Sequence, residues 1–369
     1  MRRLFIFIRL LLLLLVVVGM SMGAASVNSE ETEPARDGAT AETTFVEQTD
    51  SNELDEATKS AFDQNVAESN GQDKRIDSDR WVDMGSRIFN TVFALTVYRD
   101  ELVAAQTPFW YEGSGPSIIA RWNGKTWQAL GSQMNGIVND MTVYNDELIA
   151  AGFFTFAGGT RVNHIARWDG SRWQSIGSGT DGPVYAVTVY NGELIAGGKF
   201  STAGNLPAKG LASWNGNAWR SLDKDSDYNI TALTVCMGKL IAGETIVNDS
   251  LNINRIVCLE GNIWRPIDSF ENRAIVDLAE YEDCLVAIRE GTFFNEQDMA
   301  PERIALWRDQ SWWPLGAKME DDVFSLTVHK GQLIAGGWFT QLDKRRYHYL
   351  ALWDGESWQP AGRFDKQSD

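Results

Sequence analysis

The chain has 369 residues, of which 44% are hydrophobic, and a formal net charge of −17 at pH 7. This length and hydrophobic content allow a large buried core. The excess of acidic residues argues against a nucleic-acid backbone or an anionic lipid surface as the partner, because both would repel the protein.

The first 25 residues are typical of a secretory signal peptide. Three arginines precede or interrupt the start of an apolar stretch whose continuous run extends from Leu10 to Met20, and Gly23 and Ala25 fit a cleavage site. An uncleaved membrane anchor is the alternative, although the run is short for a bilayer span. We therefore expect a secreted, periplasmic or cell-envelope protein, attached to a membrane only if the leader is retained.

Residues 26–74 are polar, acidic and almost free of periodic apolar positions. Such a segment cannot bury enough surface to offset the entropy lost on ordering. We expect a disordered linker here, a folded region over residues 75–363, and a short tail over residues 364–369.

The folded region is built on a repeat. Six copies of one apolar segment begin at intervals of 46, 46, 46, 45 and 48 residues. They are Val92–Tyr98, Val138–Tyr144, Val184–Tyr190, Ile230–Cys236, Ile275–Tyr281 and Val323–His329. A fixed period of this length indicates a repeat architecture.

Each copy contains four short runs rich in Val, Ile, Leu, Thr and aromatic residues, as in VYAVTVY, ELIAGGKF, GLASW and WRSL. Turn residues such as Asn191 and Gly192 join the first two runs, which is typical of a tight β-hairpin. Tryptophans flank the turn between the third and fourth runs, for example Trp168 and Trp173. Because the two tryptophans of each pair face each other on neighbouring strands, we expect them to stabilise the sheet rather than to bind a ligand.

Four antiparallel strands repeated in this way predict an all-β fold, a six-bladed β-propeller of four-stranded meander blades. The segment Arg75–Gly85 repeats the third-plus-fourth-run pattern of Arg167–Gly177. It could close the ring beside the last blade or belong to a degenerate seventh blade. We favour six blades with this segment closing the ring beside the last blade, because an unpaired sheet edge promotes aggregation, and we expect a monomer.

The pattern VYAVTVYNGELIAGG followed by IARWDGSRWQSIG resembles the kelch repeat and the galactose-oxidase-central-domain-like repeats of exported bacterial proteins. The resemblance covers Arg75 to Gly362 and implies a propeller, but the scaffold carries unrelated activities. Galactose-oxidase-like copper chemistry needs two Tyr and two His, and the only histidines, His164, His329 and His348, lie too far apart in the repeats. Asp169 begins a turn faintly similar to the sialidase Asp-box, which is itself structural.

In a meander blade, the loops between the second and third strands lie at the same end as the links between blades. These loops are long and variable, so we expect binding there. The aromatic and histidine candidates are Trp110, Tyr111, Phe156, Phe293, Tyr347 and His348. The acidic candidates, on or near the links, are Asp181, Asp225, Asp227, Glu271 and Asp321. Phe154, Phe200 and Phe339 recur at one repeat position and are assigned to the core.

The sequence thus favours a non-enzymatic interaction module for a protein or glycan partner. A carbohydrate-active enzyme that uses the acidic inter-blade residues is the alternative. We expect no cofactor, with Ca²⁺ held by the link carboxylates as a further alternative. Cys236, Cys258 and Cys284 are an odd number at three different repeat positions, which favours isolated substitutions, with one disulfide as the alternative.

Overall fold

The computed structural model describes residues 91–107, 109–110, 113–114, 116–222, 229–247, 252–271, 274–289, 303–316, 322–339, 341–342, 345–346 and 349–361. Within these ranges the chain forms 32 β-strands and no helix. No helix suited to crossing a bilayer occurs in this part of the chain. The predicted signal peptide, linker, tail and Arg75–Gly85 segment lie outside the described residues.

Six four-stranded antiparallel sheets form the six blades, and each follows the predicted meander order. Blade 1 consists of β1 (Thr91–Tyr98), β2 (Glu101–Thr107), β5 (Ile118–Trp122) and β6 (Trp127–Ala129), with a hairpin of β3 (Phe109–Trp110) and β4 (Gly113–Ser114) after β2. Blade 2 consists of β7 (Val138–Tyr144), β8 (Glu147–Gly152), β11 (Ile165–Trp168) and β12 (Trp173–Ser175), with a hairpin of β9 (Phe156–Ala157) and β10 (Thr160–Arg161) after β8. Blade 3 consists of β13 (Val184–Tyr190), β14 (Glu193–Gly198), β17 (Leu211–Trp214) and β18 (Trp219–Ser221), with a hairpin of β15 (Thr202–Ala203) and β16 (Leu206–Pro207) after β14.

The other three blades vary most between their second and third strands. Blade 4 consists of β19 (Asn229–Cys236), β20 (Lys239–Val247), β21 (Asn252–Glu260) and β22 (Ile263–Glu271). Blade 5 consists of β23 (Ile275–Tyr281), β24 (Cys284–Arg289), β25 (Ile304–Arg308) and β26 (Ser311–Pro314). Blade 6 consists of β27 (Val323–His329), β28 (Gln332–Gly337), β31 (Leu350–Trp353) and β32 (Trp358–Pro360), with a hairpin of β29 (Gln341–Leu342) and β30 (Arg345–Arg346) after β28. The predicted six-bladed propeller is therefore confirmed.

The turns follow from their residues. Asn191 and Gly192 join β13 to β14 with φ values of 50° and 75°. Two consecutive positive φ angles are those of a type I′ turn, whose twist matches that of the flanking strands. The predicted tight hairpin between the first two strands is confirmed.

The apolar core lies between the blades. Each of its six clusters combines residues from two neighbouring blades, so that every blade sheet is covered on both faces. Val92 and Leu95 of blade 1 pack with Ile334 and Leu352 of blade 6, and the Leu95 amide donates a 3.0 Å hydrogen bond to the Ser325 hydroxyl. Blades 1 and 6 are therefore neighbours, and the ring closes with six blades. The predicted core positions Phe154, Phe200 and Phe339 are buried, as expected.

The tryptophans bind the blades together. Five pairs face each other across the third and fourth strands, with ring centroids 5.0 to 5.7 Å apart. In three blades the fourth-strand indole N–H also donates to a main-chain carbonyl of the preceding blade. These bonds join Trp173 to Leu130 at 3.0 Å, Trp219 to Ile176 at 3.1 Å and Trp358 to Leu315 at 2.8 Å. The structural role predicted for these residues is confirmed.

Candidate functional site

The links between blades and the loops after the second strands lie on one face, which we call the loop face. Isolated bridges join Met134 to Ala157 and Thr180 to Ala203, and each pairs a link with the hairpin of the following blade. The tight turns of the meander lie on the opposite face. The prediction that the links and the loops after the second strands lie at the same end of the blades is confirmed.

Asp181, a predicted site residue, fixes a link to a hairpin. Its Oδ1 accepts 2.8 Å hydrogen bonds from the amides of Ser201 and Thr202. Asn135 accepts the same pair of bonds one blade earlier, including one from the Phe156 amide. Asp181 is therefore a cap in the loop-face framework, because its repeat equivalent performs the same task without a charge.

Phe156 and Asp181 are the predicted site residues whose side chains the structure describes. Phe156 is 44% exposed at the base of the blade 2 hairpin. Asp181 lies in the link before blade 3 and accepts hydrogen bonds from the hairpin of that blade. The main chain of Trp110 lies in β3 and that of Glu271 at the end of β22. The remaining predicted residues lie outside the described ranges: Tyr111, Asp225, Asp227, Phe293, Asp321, Tyr347 and His348.

A second group of residues, which the sequence did not single out, lies at the inner edge of the blades. In each innermost strand the pairing register shifts around the second repeat position, the mark of a β-bulge. We call the six residues at this position the bulge ring. They are Phe93, Asn139, Tyr185, Thr231, Val276 and Phe324, and all are half-buried.

The bulge ring is partly aromatic and connects neighbouring blades near the axis. Phe93 and Phe324 stack with ring centroids 5.0 Å apart and an interplanar angle of 16°. Tyr185 meets Phe153 of the preceding blade at 5.7 Å. Asn139 donates from Nδ2 to the Val184 carbonyl at 3.2 Å. The ring therefore offers aromatic and polar surface at the loop-face end of the axis.

One residue deeper, side chains cap the inner edge of the ring of strands. At the fourth repeat position the main-chain N–H points away from the second strand, because hydrogen-bonded and non-hydrogen-bonded pairs alternate from the hairpin. These axial N–H groups belong to Leu95, Met141, Val187, Leu233, Leu278 and Leu326. Asp140 accepts from two of them, those of Met141 and Val187, at 2.7 Å each. Asp277 accepts from the Leu278 and Leu326 amides at 2.8 and 2.6 Å.

Asp140 and Asp277, which we call the axial carboxylates, occupy blades 2 and 5, opposite each other in a ring of six. Both are half-buried, whereas Ala94, Ala186 and Ala232 fill the same position in other blades and are buried. Burial raises the pKa of Asp140 well above its usual value, and the negative charge of Asp277 raises it further, against the opposing effect of the two amide hydrogen bonds. The axis therefore resists carrying both negative charges at once.

The described residues contain no group of three or more His, Cys, Asp or Glu side chains arranged to hold a metal ion. The link acids considered as Ca²⁺ ligands lie mostly outside these residues, and Asp181 is engaged by two amides. The three cysteines are free and buried. Burial is the first cause of their raised pKa values, which for Cys258 reaches about 11. A thiol kept protonated in this way is unreactive.

Residues 119–266 match the family described as the Rax2 C-terminal beta propeller domain. No curated protein matches the chain. Among solved structures, the chain is similar to the extracellular domain of a putative one-component system from B. thetaiotaomicron, with 8% identity, a TM-score of 0.46, and coverage of 71% of this chain and 32% of that one. The chain thus spans about a third of that structure's length. The β-propeller domain of Cps50 (Swd1) from Myceliophteria thermophila has 12% identity, a TM-score of 0.42, and coverage of 72% and 97%. The computationally designed Ika8 protein has 12% identity, a TM-score of 0.42, and coverage of 77% and 91%.

Proposed function

We propose that this β-propeller is an exported, monomeric, non-enzymatic interaction module that binds a protein or glycan partner through its loop face. The kelch-like, galactose-oxidase-central-domain-like character of its repeats is part of this proposal, supported by the Gly-Gly second strands and paired tryptophans. The export signal rests on the leader sequence. The single observation that carries the binding role is the bulge ring.

The bulge ring has the composition of a recognition surface. Aromatic side chains provide large contact area with little entropy to lose, and amide or hydroxyl groups beside them provide direction. Phe93, Tyr185 and Phe324 are half-buried, in blades whose other inner-strand apolar residues are mostly buried.

The axial carboxylates favour a second candidate, a glycoside hydrolase. Two carboxyl groups, one with a raised pKa, are the groups that such enzymes use as acid and base or nucleophile. In this propeller, however, both oxygens of Asp140 and of Asp277 accept main-chain N–H groups. Their position as caps restrains the movement that proton transfer to a substrate needs, so binding is the better-supported role.

The test is to apply the fluorescently labelled protein to glycan and peptide arrays, together with three variants. Tyr185→Ser alters the bulge ring and Phe156→Ser alters an exposed loop-face residue. Glu356→Ser, in the exposed turn between β31 and β32, is the control on the opposite face. We expect at least one loop-face variant to lose tenfold or more in apparent affinity, and the control to keep it.

Two results would contradict the proposal. One is binding that neither loop-face variant weakens although circular dichroism shows that both are folded. The other is hydrolysis of nitrophenyl glycosides by the unmodified protein that disappears in Asp140→Ser, which would establish the enzymatic candidate instead.

A further inference from the structure

We propose that the outer edges of blades 4 and 5 form a latent surface for strand pairing with a second copy of this chain, and that prolines in their fourth strands keep this surface closed. By outer edge we mean the free side of the fourth strand, which ends each blade sheet in the described part of the chain. The inference concerns self-association and does not depend on what the loop face binds.

Three prolines occupy one repeat position, two residues after the first tryptophan of the fourth strand. They are Pro266, Pro314 and Pro360, in blades 4, 5 and 6. The chain has 9 prolines in all, so a third of them fall at one position in three consecutive blades. The position itself therefore favours proline.

The N–H group that proline lacks at this position would face away from the blade. In blade 5 the amide of the next residue, Leu315, donates inward to the Ile304 carbonyl at 3.1 Å. In blade 4, counting from the closing pair of the hairpin, Glu260 and Ile263, gives the same outward direction at Pro266. Proline here costs the blade no hydrogen bond, and it removes a donor that an added strand would need.

Blades 4 and 5 have the outer edges that most need this protection. Their fourth strands have 9 and 4 residues, against 3 in each of the other blades. Each of the two strands also exposes a large apolar side chain, Ile263 at 59% and Trp313 at 56%. A long edge with exposed apolar residues is a template for pairing between chains.

Blades 2 and 3 cover their outer strands in another way. Strand β10 lies against β12, and β15 and β16 lie against β18. The Thr160 hydroxyl donates to the Trp173 carbonyl at 3.1 Å, so the hairpin occupies a main-chain acceptor of the outer strand. These blades carry Ser175 and Ser221 at the proline position. The described residues of blades 4 and 5 include no such hairpin, and proline takes over its role.

A second copy of this chain is the partner that fits these edges. Two identical edges can pair antiparallel about a two-fold axis. When β22 pairs with itself in this way, Arg265 can lie opposite Asp268 of the second copy, and opposite charges at facing positions are favourable. Blade 4 also carries a β-bulge beside Val257, and Asp268 engages the Ser269 amide at 2.8 Å. Both features hinder flat pairing and add to the effect of the proline.

The test replaces Pro266 and Pro314 together by Ser, the residue that blades 2 and 3 carry at this position. Blade 6 is left unchanged, because Arg75–Gly85, the predicted neighbour of its outer strand, lies outside the described residues. The matched control replaces Pro183 and Pro207 by Ser, in a link and in a hairpin. Loss of proline acts on the unfolded chain in both double variants, so a difference in association between them reports on the outer edges.

Sedimentation equilibrium at increasing protein concentration measures self-association, and hydrogen–deuterium exchange locates it. We expect the unmodified protein and the control variant to remain monomeric. We expect the weight-average mass of the edge variant to rise towards twice the monomer mass, with slower exchange in β22 or β26.

Three results would overturn the inference. One is an edge variant that circular dichroism shows to be folded and that stays monomeric. Another is association that occurs equally in the control variant or leaves exchange in β22 and β26 unchanged. The third is a dimer of the unmodified protein in which these outer strands are protected, because the prolines would then not prevent pairing.

Discussion

A buried indole contributes to the contact between blades 1 and 2, and replacing Trp173 by Phe measures its contribution to stability. Trp173 is 1% exposed, and its Nε1 donates to the Leu130 carbonyl at 3.0 Å. Phe keeps an aromatic ring facing Trp168 but has no donor for that carbonyl. The variant therefore removes the bond between the blades while largely preserving the apolar contact.

The expected cost follows from these contacts. A buried acceptor that loses its donor costs about 1–3 kcal/mol. The smaller ring leaves a void of at least methyl size, which adds about 1 kcal/mol. The free energy of unfolding should therefore fall by about 2–4 kcal/mol. Trp313→Phe is the matched control, because that indole is 56% exposed and bonds to Arg308 at the surface. Its cost should stay within about 0.5 kcal/mol.

Urea unfolding followed by far-ultraviolet circular dichroism measures both variants. The slope of the free energy against urea should be unchanged, so that the midpoint alone reports stability. Equal losses in Trp173→Phe and Trp313→Phe would refute the reasoning, because burial and the bond between blades would then contribute nothing beyond ring size.

Three further predictions concern the axis, the glycines and the thiols. Because the pKa of Asp140 is raised in the folded protein, its contribution to stability is complete below the unfolded pKa of about 3.9 and is lost as pH rises through the folded value. In urea unfolding, the midpoint of Asp140→Ser relative to that of the unmodified protein should therefore be higher at pH 8 than at pH 5. A difference between the two midpoints that does not change with pH would contradict this. Gly152→Ala places a Cβ 2.0 Å from the Ile137 carbonyl oxygen, so it should lower the free energy of unfolding by more than about 2 kcal/mol. A thermal midpoint within about 2 °C of that of the unmodified protein would be inconsistent with that contact. The three buried cysteines should react with a thiol reagent only after denaturant is added, and rapid labelling of the folded protein would show that their environment is open.

The fold could be predicted because the repeat makes each part of the sequence confirm the others. The same four runs recur around Val184–Tyr190, the turn residues are those that positive φ angles require, and each tryptophan pair flanks a turn at matching positions. Ring closure could not be settled in the same way, because Arg75–Gly85 and the end of blade 6 carry similar patterns. The contact of Leu95 with Ser325 makes blades 1 and 6 neighbours and so excludes a seventh blade between them, and that contact spans most of the chain.

The candidate site was harder to predict because a β-bulge leaves little trace in sequence. One repeat position holds aromatic residues such as Phe93 and Tyr185 in some copies and a polar residue such as Asn139 in another, so the alternation of apolar and polar residues along the strand does not single it out. One signal was available. Asp140 and Asp277 interrupt an apolar position that Ala fills in three other copies, and a charge at such a position indicates a polar task.

The shared core between blades also bears on how the chain could be rearranged. Because every apolar cluster belongs to two neighbours, the order in which the blades are synthesised has little importance for the finished ring. A circular permutant with new ends at the Asn191–Gly192 turn, and a connector from Ala361 to Val92 matched in length to Gly131–Ile137, should retain the same contacts. Its folding rate would change, because the seam that closes last would then lie within blade 3, between its first and second strands.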